Sequence, residues 1–497
     1  MLSGVDGRRI DVEVHASSGL PGFTIVGLPD AAVREARDRV RAAVLSSGYK
    51  WATSRVTVNL APSGLRKAGS GLDLAIAVGV LVVGNEIDPA RISDVAFVGE
   101  LGLDGSVRAI PGIVSIVAAL VDHRFVVVPM ASAAEAVLVG GDRVRPVGTL
   151  LELVQAVAGD APWPRPRPLV SRFDRLVAAP DMADVRGQAV GRRAVEVAAA
   201  GGHHLLLVGP PGSGKTMLAS RLPGILPALE REDALEVTRV HSAAGVGLDA
   251  GLAVRPPFRA PHHGSTDVSL VGGGSTWLRP GEISLAHRGV LFLDELGEFS
   301  PRVLDMLRQP LEEGVVRIRR ARAAVDLPAR FLLVGAMNPC PCGEGSTDGG
   351  CRCSDLARAR YARRLSAPLL DRFDLAVALA RPDVEQLLGG PRGEATSVVA
   401  ERVRRARWLA HRRGVRSNAA IQTGELDVVA PLSSDARDLL ERRLRAGSLS
   451  ARGLHRVRKV ARTIADLDNA GPTIGVRQVA EALQLRAARN ALGVTSR

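Results

Sequence analysis

Aromatic side chains, cysteines and long apolar runs are all scarce in this sequence of 497 residues. Aromatic residues make up 3% of the chain, so its cores have to be built mainly from Val, Leu, Ile and Ala. Apolar runs such as residues 205–208 and 290–293 have the length of strands. Nothing in the sequence matches a signal peptide or a membrane span. We therefore expect a cytoplasmic protein without a membrane partner.

Acidic residues are also fewer than basic ones, and the imbalance is uneven along the chain. Residues 1–160 hold 15 Lys and Arg against 17 Asp and Glu, whereas residues 401–497 hold 20 against 9. The net charges of these segments are therefore −2 and +11, within a total of +13. A basic excess on one module fits a polyanion such as DNA. Solvated helix faces in an Arg-rich composition would explain the same charge.

Four alternating prolines between positions 162 and 168 forbid regular structure and mark a seam. Strands and helices alternate on both sides of it, which predicts an α/β fold class with a parallel sheet in the second unit. The end of the chain has helical spacing throughout. We predict domains at 1–160, 181–390 and 391–497, with a Pro-rich linker at 161–180. Helices are predicted at 31–46, 72–83, 217–222, 401–413, 434–446, 454–468 and 476–491, and strands at 22–27, 56–60, 96–99, 125–128, 204–208, 289–294 and 330–337.

A phosphate-binding loop is the strongest motif in the chain. It fits G-x-x-x-x-G-K-[ST] at every fixed position and stands between an apolar strand and an apolar helix. The loop amides and the following helix N-terminus would bind the phosphates of ATP. Lys215 would reach the β- and γ-phosphates, and the Thr216 hydroxyl would ligate Mg²⁺. The nucleotide-binding residues predicted here are Gly209, Pro210, Pro211, Gly212, Ser213, Gly214, Lys215 and Thr216.

Two later apolar strands end in polar residues that suit the same site. The first ends at Asp294 and Glu295, at the edge where open α/β sheets bind ligands. Asp294 would hold Mg²⁺, and Glu295 would orient or activate the attacking water. The second ends at Asn338, which would position that water. Without the other two motifs, a turn-forming Asn-Pro pair would be the favoured explanation of Asn338.

Several longer stretches resemble one family, the ComM/YifB group of magnesium-chelatase-like AAA+ ATPases. The resemblance covers nearly the whole chain and also implies a further segment, including a strand, ahead of the first residues. It is carried by GLPGFTIVGLPD at 19–30, GSGLDLAIA at 69–77, the phosphate loop, RPGEISLAHRGVLFLDEL at 279–296, LSAPLLDRFD at 365–374 and SARG at 450–453.

The resemblance implies a hexameric ring with nucleotide at the subunit interfaces. Arg372 would then be the arginine finger that reaches a neighbour's γ-phosphate, and Arg452 would be a second sensor of nucleotide. From the sequence alone either arginine would be read as a surface salt-bridge partner. Arg363, Arg364 and Arg456 are nearby competitors for these roles.

The family also carries an insertion and a hairpin, which map here to about 262–282 and 315–327. The hairpin is rich in arginine, and the alternation of Arg317 and Arg319 would place both on one strand face. Basic loops in a ring pore would hold a DNA backbone without reading its sequence. A solvated charged hairpin is the alternative. The DNA-binding residues predicted here are Arg317, Arg319, Arg320 and Arg322.

The first domain resembles the fold shared by Lon protease and ribosomal protein S5. Lon needs a Ser–Lys dyad. The resemblance places Gly71 where the serine should be and Val114 where the lysine should be, with Ser70 one position out of register. We therefore expect no protease activity, and a scaffolding or partner-binding role.

All four cysteines, Cys340, Cys342, Cys351 and Cys353, fall in one C-x-C-x₈-C-x-C stretch. Two close pairs joined by a Gly-rich loop can bind a structural Zn²⁺, although C-x-C is tighter than the usual spacing. Free or redox-active thiols are the alternative. His262 and His263 lack spaced partners and are not assigned as ligands.

Together these observations predict an ATP- and Mg²⁺-dependent motor acting on single-stranded or branched DNA. The resemblance implies a branch-migration or helicase-type role in recombination or natural transformation. The alternative is a chelatase-type ATPase that remodels a protein partner for metal insertion.

Overall fold

The computed structural model describes residues 1–166, 180–247, 251–274, 278–320, 323–344 and 351–488. These residues form a mixed α/β fold that contains a parallel sheet, as predicted. Among them, the search for a helix of bilayer-spanning length and apolarity finds none. Of the predicted linker, residues 161–166 and 180 fall within the described part, and they form no helix or strand.

The first part of the chain holds two three-stranded sheets with helices packed on them. One sheet has the order β3-β5-β4, and the other is parallel with the order β10-β9-β6. Its strands are β1 Leu2–Ser3, β2 Asp6–Gly7, β3 Asp11–Ser17, β4 Gly22–Val26, β5 Arg55–Ala61, β6 Val95–Phe97, β7 Glu100–Leu101, β8 Val107–Arg108, β9 Phe125–Pro129 and β10 Val144–Val147. Its helices are α1 Ala31–Ser46, α2 Asp73–Val83, α3 Ile113–Ala118, α4 Ala133–Gly140 and α5 Leu150–Ala158.

Local chemistry explains why α1 begins and which face it buries. The Asp30 carboxylate accepts a hydrogen bond of 2.8 Å from the backbone N–H of Val33 and so caps the helix. Val33, Val40 and Val44 follow at helical spacing and are fully buried, in one cluster with Val58 of β5 and Leu81 of α2. The apolar face of the helix therefore belongs to a core that it shares with α2 and β5.

The middle of the chain is built around a five-stranded parallel sheet. The strands of this sheet are β11 Leu205–Val208, β12 Phe258–Arg259, β15 Val290–Leu293, β18 Leu332–Met337 and β19 Leu375–Ala378. Two antiparallel pairs accompany it, β13 Gly272–Gly273 with β14 Arg279–Pro280, and β16 Val315–Arg320 with β17 Ala323–Pro328. Its helices are α6 Ala189–Gly201, α7 Lys215–Ala219, α8 Leu222–Ile225, α9 Arg231–Ala244, α10 Asp267–Val271, α11 Glu282–Leu285, α12 Pro301–Met306, α13 Arg308–Glu313, α14 Asp355–Ala362 and α15 Ala367–Leu370.

The order of this sheet, β12-β15-β18-β11-β19, determines where the predicted motifs meet. All four neighbouring pairs are parallel, so the carboxyl ends of the five strands lie along one edge. Strands β11, β15 and β18 are buried along their whole length, which matches their continuous apolar sequences. The residues that follow these three strands therefore come together at one edge of the sheet.

The last part of the chain is helical and shares a core with the parallel sheet. Its helices are α16 Val384–Leu388, α17 Thr396–Arg412, α18 Leu426–Val429, α19 Ser434–Arg445, α20 Ala451–Leu467 and α21 Val476–Gln484. Val403 of α17 and Val457 of α20 belong to the same buried cluster as Leu207 of β11. Buried polar contacts add to this packing, because His203 Nε2 lies 2.8 Å from the Thr463 hydroxyl. Both apolar and polar contacts therefore hold the helical part against the sheet.

The N-terminal residues pack directly on the middle of the chain. The Gly112 N–H donates a 2.8 Å hydrogen bond to the Ser242 carbonyl at the end of α9. Arg239 of α9 forms an ion pair of 2.9 Å with Asp6, and Val5 is buried in the cluster beneath the parallel sheet. The N-terminal residues therefore contact the part of the chain that carries the phosphate loop.

The helix predicted at 217–222 is wrong in its bounds. The structure has two short helices instead, α7 ending at Ala219 and α8 beginning at Leu222. Pro223 has no N–H to donate to the Ala219 carbonyl, so the first helix cannot continue through it. The predicted helix at 476–491 ends earlier, at Gln484, and residues 489–497 lie outside the described residues.

Candidate nucleotide site at the carboxyl edge of the sheet

The phosphate loop connects the buried strand β11 to α7. Gly212 and Gly214 have φ of +79° and +82°, a backbone conformation that residues with a Cβ rarely adopt. Ser213 is fully buried, and its N–H bonds the Pro210 carbonyl at 3.2 Å. The glycines are therefore required by the shape of the loop, which leaves its amides at the start of a helix.

Lys215 lies folded back over this loop. Its Nζ donates to the carbonyl oxygens of Gly209 and Pro210 at 2.7 and 2.9 Å, and to Asn338 Oδ1 at 3.2 Å. Burial lowers the pKa of Lys215 from its ordinary value. The structure thus brings together two predicted site residues, Lys215 and Asn338, that are far apart in sequence.

Thr216 and Asp294 meet across the same edge. The Thr216 hydroxyl donates a 2.7 Å hydrogen bond to Asp294 Oδ2, and Asp294 Oδ1 accepts from the N–H of Glu295 at 2.9 Å. A hydroxyl and a carboxylate this close offer two oxygen ligands of the kind Mg²⁺ prefers. The donor set therefore fits the predicted magnesium site.

Glu295 stands next to this pair in an unusual backbone conformation. Its φ is +50°, which is uncommon for a residue with a side chain and is often found at functional sites. Its carboxylate is half exposed and lies 3.0 Å from Nδ1 of His263. No sequence pattern predicts His263 as a site residue. The pairing of β12 with β15 brings residues 263 and 295 to the same edge, and the sequence carries no local sign of that pairing.

Two further residues, which no sequence motif predicts, contact the loop from outside. Gln188 Nε2 donates to the carbonyls of Ser213 at 3.0 Å and Ala380 at 2.6 Å. Arg381 Nε donates to the Pro211 carbonyl at 3.1 Å. Neither residue belongs to a motif, so only the position of β19 beside β11 reveals them.

Arg372 lies at the opposite edge of the sheet. It precedes β19, and Leu375 at the start of that strand pairs with Leu205 at the start of β11. The Arg372 guanidinium forms an ion pair with Glu312 of α13, and its Nε is buried without a hydrogen-bond partner. Burial, followed by the charges of Arg456, Arg308 and Arg452, lowers the pKa of Arg372.

Arg452 faces the same side of the molecule. It follows the N-cap Ser450 of α20 and lines a cleft of about 630 Å³ together with Asp371, Arg443 and Arg486. The phosphate loop, which is fully described, contributes no residue to this cleft. The two predicted arginines are therefore close to each other and apart from the phosphate loop of their own chain.

Comparison with known proteins identifies the chain's relatives. Three family descriptions match it: "Subunit ChlI of Mg-chelatase" at 12–132, "Magnesium chelatase, subunit ChlI" at 181–387, and "Magnesium chelatase, subunit ChlI C-terminal" at 393–486. Competence protein ComM of Haemophilus influenzae is 42% identical over 97% of this chain and 96% of its own length. The chain belongs to the magnesium-chelatase-like family that contains ComM and YifB.

Two further relatives match this chain along nearly its whole length, and a third matches only part of it. Escherichia coli YifB is 42% identical over 97% of this chain and 95% of its own length. An uncharacterized protein of Mycobacterium tuberculosis is 46% identical over 98% of this chain and 97% of its own length. The 38 kDa magnesium-chelatase subunit of Cereibacter sphaeroides is 28% identical over 36% of this chain and 52% of its own length. The ComM/YifB relatives thus match along nearly the whole chain.

The arginines of the hairpin β16–β17 are partly neutralised by carboxylates. This is the hairpin predicted from the ComM/YifB resemblance. Arg317 and Arg319 are about half exposed, but Arg319 forms a 2.6 Å ion pair with Asp326, and Arg317 forms one of 2.8 Å with Glu313. Arg320 is the last residue of β16, and its side chain is not described. Arg322 lies outside the described residues.

The four cysteines form one cluster beside the phosphate loop. One Sγ from each residue lies within 4.8 Å of the others, and Cys340 is 3.2 Å from Cys342 and 3.7 Å from Cys351. A tetrahedral Zn²⁺ with bonds of about 2.3 Å would need sulfurs about 3.8 Å apart. A hydrogen bond from the Glu344 N–H, followed by one from the Cys340 thiol, lowers the pKa of Cys342 to about 6. The sulfur geometry fits a zinc site.

In the first domain, the two positions that would hold the Lon dyad carry no reactive group. Gly71 precedes α2, and Val114 is fully buried in α3. Ser70, the neighbour of Gly71, hydrogen-bonds through its hydroxyl to the Glu100 carboxylate. A hydroxyl held by a carboxylate lacks the lysine base that the dyad chemistry requires.

Proposed function

We propose that this ComM/YifB relative is a Mg²⁺-dependent AAA+ ATPase that moves DNA. Its phosphate loop, its Thr216–Asp294 pair and Glu295 share one sheet edge, which supports ATP as the substrate. Lys215 and the loop amides bind the phosphates, and Thr216 and Asp294 hold Mg²⁺, which offsets phosphate charge. Glu295 accepts a proton from the attacking water, and Asn338 orients that water.

The observation that carries the assembly part of this proposal is the separation of Arg372 from its own phosphate loop. Strands β11 and β19 run about 10 Å between the edge near Arg372 and the edge that holds the loop. A second copy, however, can place its Arg372 edge against this chain's loop edge. Such a head-to-tail contact closes into a ring, and we propose a hexamer. Arg452, on the same side as Arg372, would then also act on the neighbour's nucleotide.

The proposal of DNA as substrate rests on the charge of the chain and on its sequence similarity to a competence protein. Residues 401–497 carry a net charge of +11, and the hairpin β16–β17 presents Arg317 and Arg319 on one exposed face. A phosphate backbone could replace Asp326 and Glu313 as the partner of these arginines. A full-length relative is named a competence protein, which supports a role with incoming DNA. We assign the motor to branch migration or unwinding of single-stranded or branched DNA.

ATP hydrolysis measured with and without single-stranded and forked DNA tests this function. Stimulation of kcat by DNA that weakens as salt rises is the expected result, because counterion release drives phosphate binding. Lys215→Ala serves as the control for contaminating ATPases. Hydrolysis that ignores DNA at every salt concentration would reject the DNA motor.

The same measurement of ATP hydrolysis with and without DNA also tests the alternative function. The family descriptions name magnesium chelatase, and a chelatase-type ATPase that remodels a protein partner for metal insertion would use the same nucleotide site. Such a protein needs no DNA to reach its full rate. Hydrolysis without a DNA effect would therefore favour this alternative.

Removal of the two hairpin arginines is expected to weaken DNA binding and its dependence on salt. Two lost phosphate contacts lower the slope of log K against log [salt] by about 1.4 for single-stranded DNA. Fluorescence anisotropy of labelled DNA with Arg317→Ala/Arg319→Ala measures this slope. Arg9→Ala is the matched control, since Arg9 is exposed and paired with Asp11 at 2.9 Å in the first domain. If Arg9→Ala lowers the slope of log K against log [salt] as much as the hairpin variant does, the hairpin arginines make no specific contact with DNA.

We also propose that the four cysteines bind a structural Zn²⁺ that supports the phosphate loop. Gly343, within the cluster, has φ of +83°, and a Cβ there would lie 2.8 Å from Cδ of Pro211. Glu344 pairs at 2.6 Å with Arg381, which itself bonds the Pro211 carbonyl. A metal bound by the cysteines would therefore also fix the positions of Gly343 and Glu344, which contact the loop directly or through Arg381.

Loss of this zinc is expected to raise the KM for ATP several-fold, because the loop loses its outer support. The freshly purified protein should contain one zinc per chain by mass spectrometry of the metal. Cys342→Ser and chelator-treated protein should both show the higher KM, and added Zn²⁺, but not Mg²⁺, should reverse the chelator effect. A metal-free protein with the ordinary KM would leave the cysteines as free thiols.

We further propose the domain limits 1–160, 161–180, 181–390 and 391–497. The first domain is proposed to have a Lon/S5-like fold without protease activity. Its contacts with α9 through Gly112 and Asp6 support a scaffolding role.

A further inference from the structure

The long helix α17 leaves a tryptophan side chain in solvent. The helix buries Val399, Val403, Ala406 and Ala410, which share one face. At 3.6 residues per turn, Trp408 falls on the opposite face, and its side chain is 52% exposed. In the part of the chain that the structure describes, it is the one aromatic residue among the exposed large apolar side chains. The packing of α17 therefore does not use this ring.

Basic side chains surround Trp408 on the exposed face of α17. On a helix surface, the neighbours of a residue lie three and four positions away in each direction. For Trp408 these neighbours are Arg404, Arg405, His411 and Arg412, and all four are exposed. An acidic residue, Glu401, lies one turn before Arg404 and pairs with it at 2.5 Å. The surface around the ring therefore has a net positive charge.

Two contacts order this surface. The guanidinium carbon of Arg412 lies 4.9 Å from the centroid of the Trp408 ring, which is a cation–π contact. Arg405 Nη2 donates a 3.0 Å hydrogen bond to the Leu467 carbonyl at the end of α20. Side chains that are already held in place lose less entropy when a ligand binds to them.

A flat ring among arginines suits single-stranded DNA. Every base has a π-face that can stack on an indole, and arginine can bind the phosphate beside it. Bases inside a duplex already stack on one another, so their faces are not available to the ring. Tryptophan is also frequent in protein interfaces, but the centres of such interfaces are depleted of charged residues. Three of the four helical neighbours of Trp408 are arginines, which favours DNA over a protein partner.

We propose that Trp408 and Arg412 form a second DNA contact, separate from the hairpin β16–β17. An unpaired base stacks on the indole of Trp408, and Arg412 binds the adjacent phosphate. This contact, which rests on the proposed function, makes single-stranded DNA the preferred substrate over duplex DNA. It also gives the net charge of +11 on residues 401–497 a specific place to act.

Trp408→Ala is expected to weaken the binding of an oligothymidylate about tenfold, because one base loses its stacking partner. Binding of duplex DNA of the same length should change less than twofold. Fluorescence anisotropy of the labelled DNAs over a salt series measures both affinities. The slope of log K against log [salt] should stay at the wild-type value in Trp408→Ala. It should fall by about 0.7 in Arg412→Ala, since only that variant loses a phosphate contact.

Two further variants control for the loss of exposed side chains. Trp408→Phe should keep most of the single-strand affinity, because a smaller ring can still stack on a base. Val398→Ala, on the same helix and 49% exposed, should bind both DNAs as the wild type does. Oligothymidylate should also quench the tryptophan emission of the wild type more strongly than that of Trp408→Phe.

Three results would overturn the stacking contact. One is a single-strand affinity of Trp408→Ala equal to that of the wild type, and another is an equal loss of affinity for single-stranded and duplex DNA. The third is quenching by a non-hydrolysable ATP analogue without DNA that disappears in Trp408→Phe, which would assign the ring to a contact between subunits. A wild type that binds no DNA would reject the proposed function together with this contact. A wild type that binds single-stranded DNA no better than Trp408→Ala rejects the contact alone.

Discussion

Replacement of Arg372 by alanine is expected to lower kcat for ATP hydrolysis by about 10³-fold, the lower range for an arginine supplied by a neighbour. Arg372 stands at the amino edge of β19, whereas the phosphate loop follows the carboxyl edge of β11. The same chain therefore cannot bring both groups to one phosphate. ATP binding to each subunit should remain, because the loop itself is unchanged.

Mixing two inactive variants tests whether Arg372 acts between subunits. Arg372→Ala subunits keep an intact loop, and Lys215→Ala subunits keep an intact arginine. In a randomly mixed ring about a quarter of the interfaces combine the two intact halves, so about a quarter of the wild-type rate should return. A mixture as inactive as its components would contradict action across the interface.

Arg363→Ala is the matched control for this experiment. Arg363 is exposed and follows α14, nine residues before Arg372 in the same motif-bearing stretch. It was a competitor for the finger on sequence grounds. A kcat near the wild-type value is expected for Arg363→Ala. A loss as large as that of Arg372→Ala would show that the effect is not specific to Arg372.

The parts of the site that follow strands could be predicted from the sequence. Three apolar runs predicted β11, β15 and β18, and each is buried along its length. Because parallel strands end at a common edge, the sequence also predicted that Asp294 and Asn338 would serve one site. The structure places both within reach of the phosphate loop.

The parts that depend on strand order could not be predicted in this way. His263 reaches Glu295 only because β12 is the neighbour of β15, and no local pattern contains that information. Gln188 and Arg381 brace the loop for the same kind of reason. These residues were missed because their contacts are made across the sheet.

The hairpin shows how register changes the meaning of a charge pattern. The alternation of Arg317 and Arg319 predicted a basic strand face. The turn pairs Arg317 with Asp326, and so places a carboxylate between the two arginines. Asp326 is visible in the sequence, but its position opposite the arginines depends on where the chain turns.

Replacement of Glu295 by glutamine is expected to lower kcat by about 10²- to 10³-fold while ATP still binds. Glutamine keeps the size of the side chain and removes its ability to take a proton. Lys215→Ala should behave differently, because Lys215 lies against the loop carbonyls of Gly209 and Pro210 where phosphates would bind. Its main effect should be on the affinity for ATP.

Kinetics and titration with a fluorescent nucleotide together separate these two effects. Glu298→Gln is the matched control, since Glu298 lies three residues further on and forms an exposed ion pair of 2.9 Å with Arg364. Exposed pairs contribute little, so this variant should keep its rate within about twofold of the wild type. Hydrolysis by Glu295→Gln at the wild-type rate would exclude Glu295 as the base.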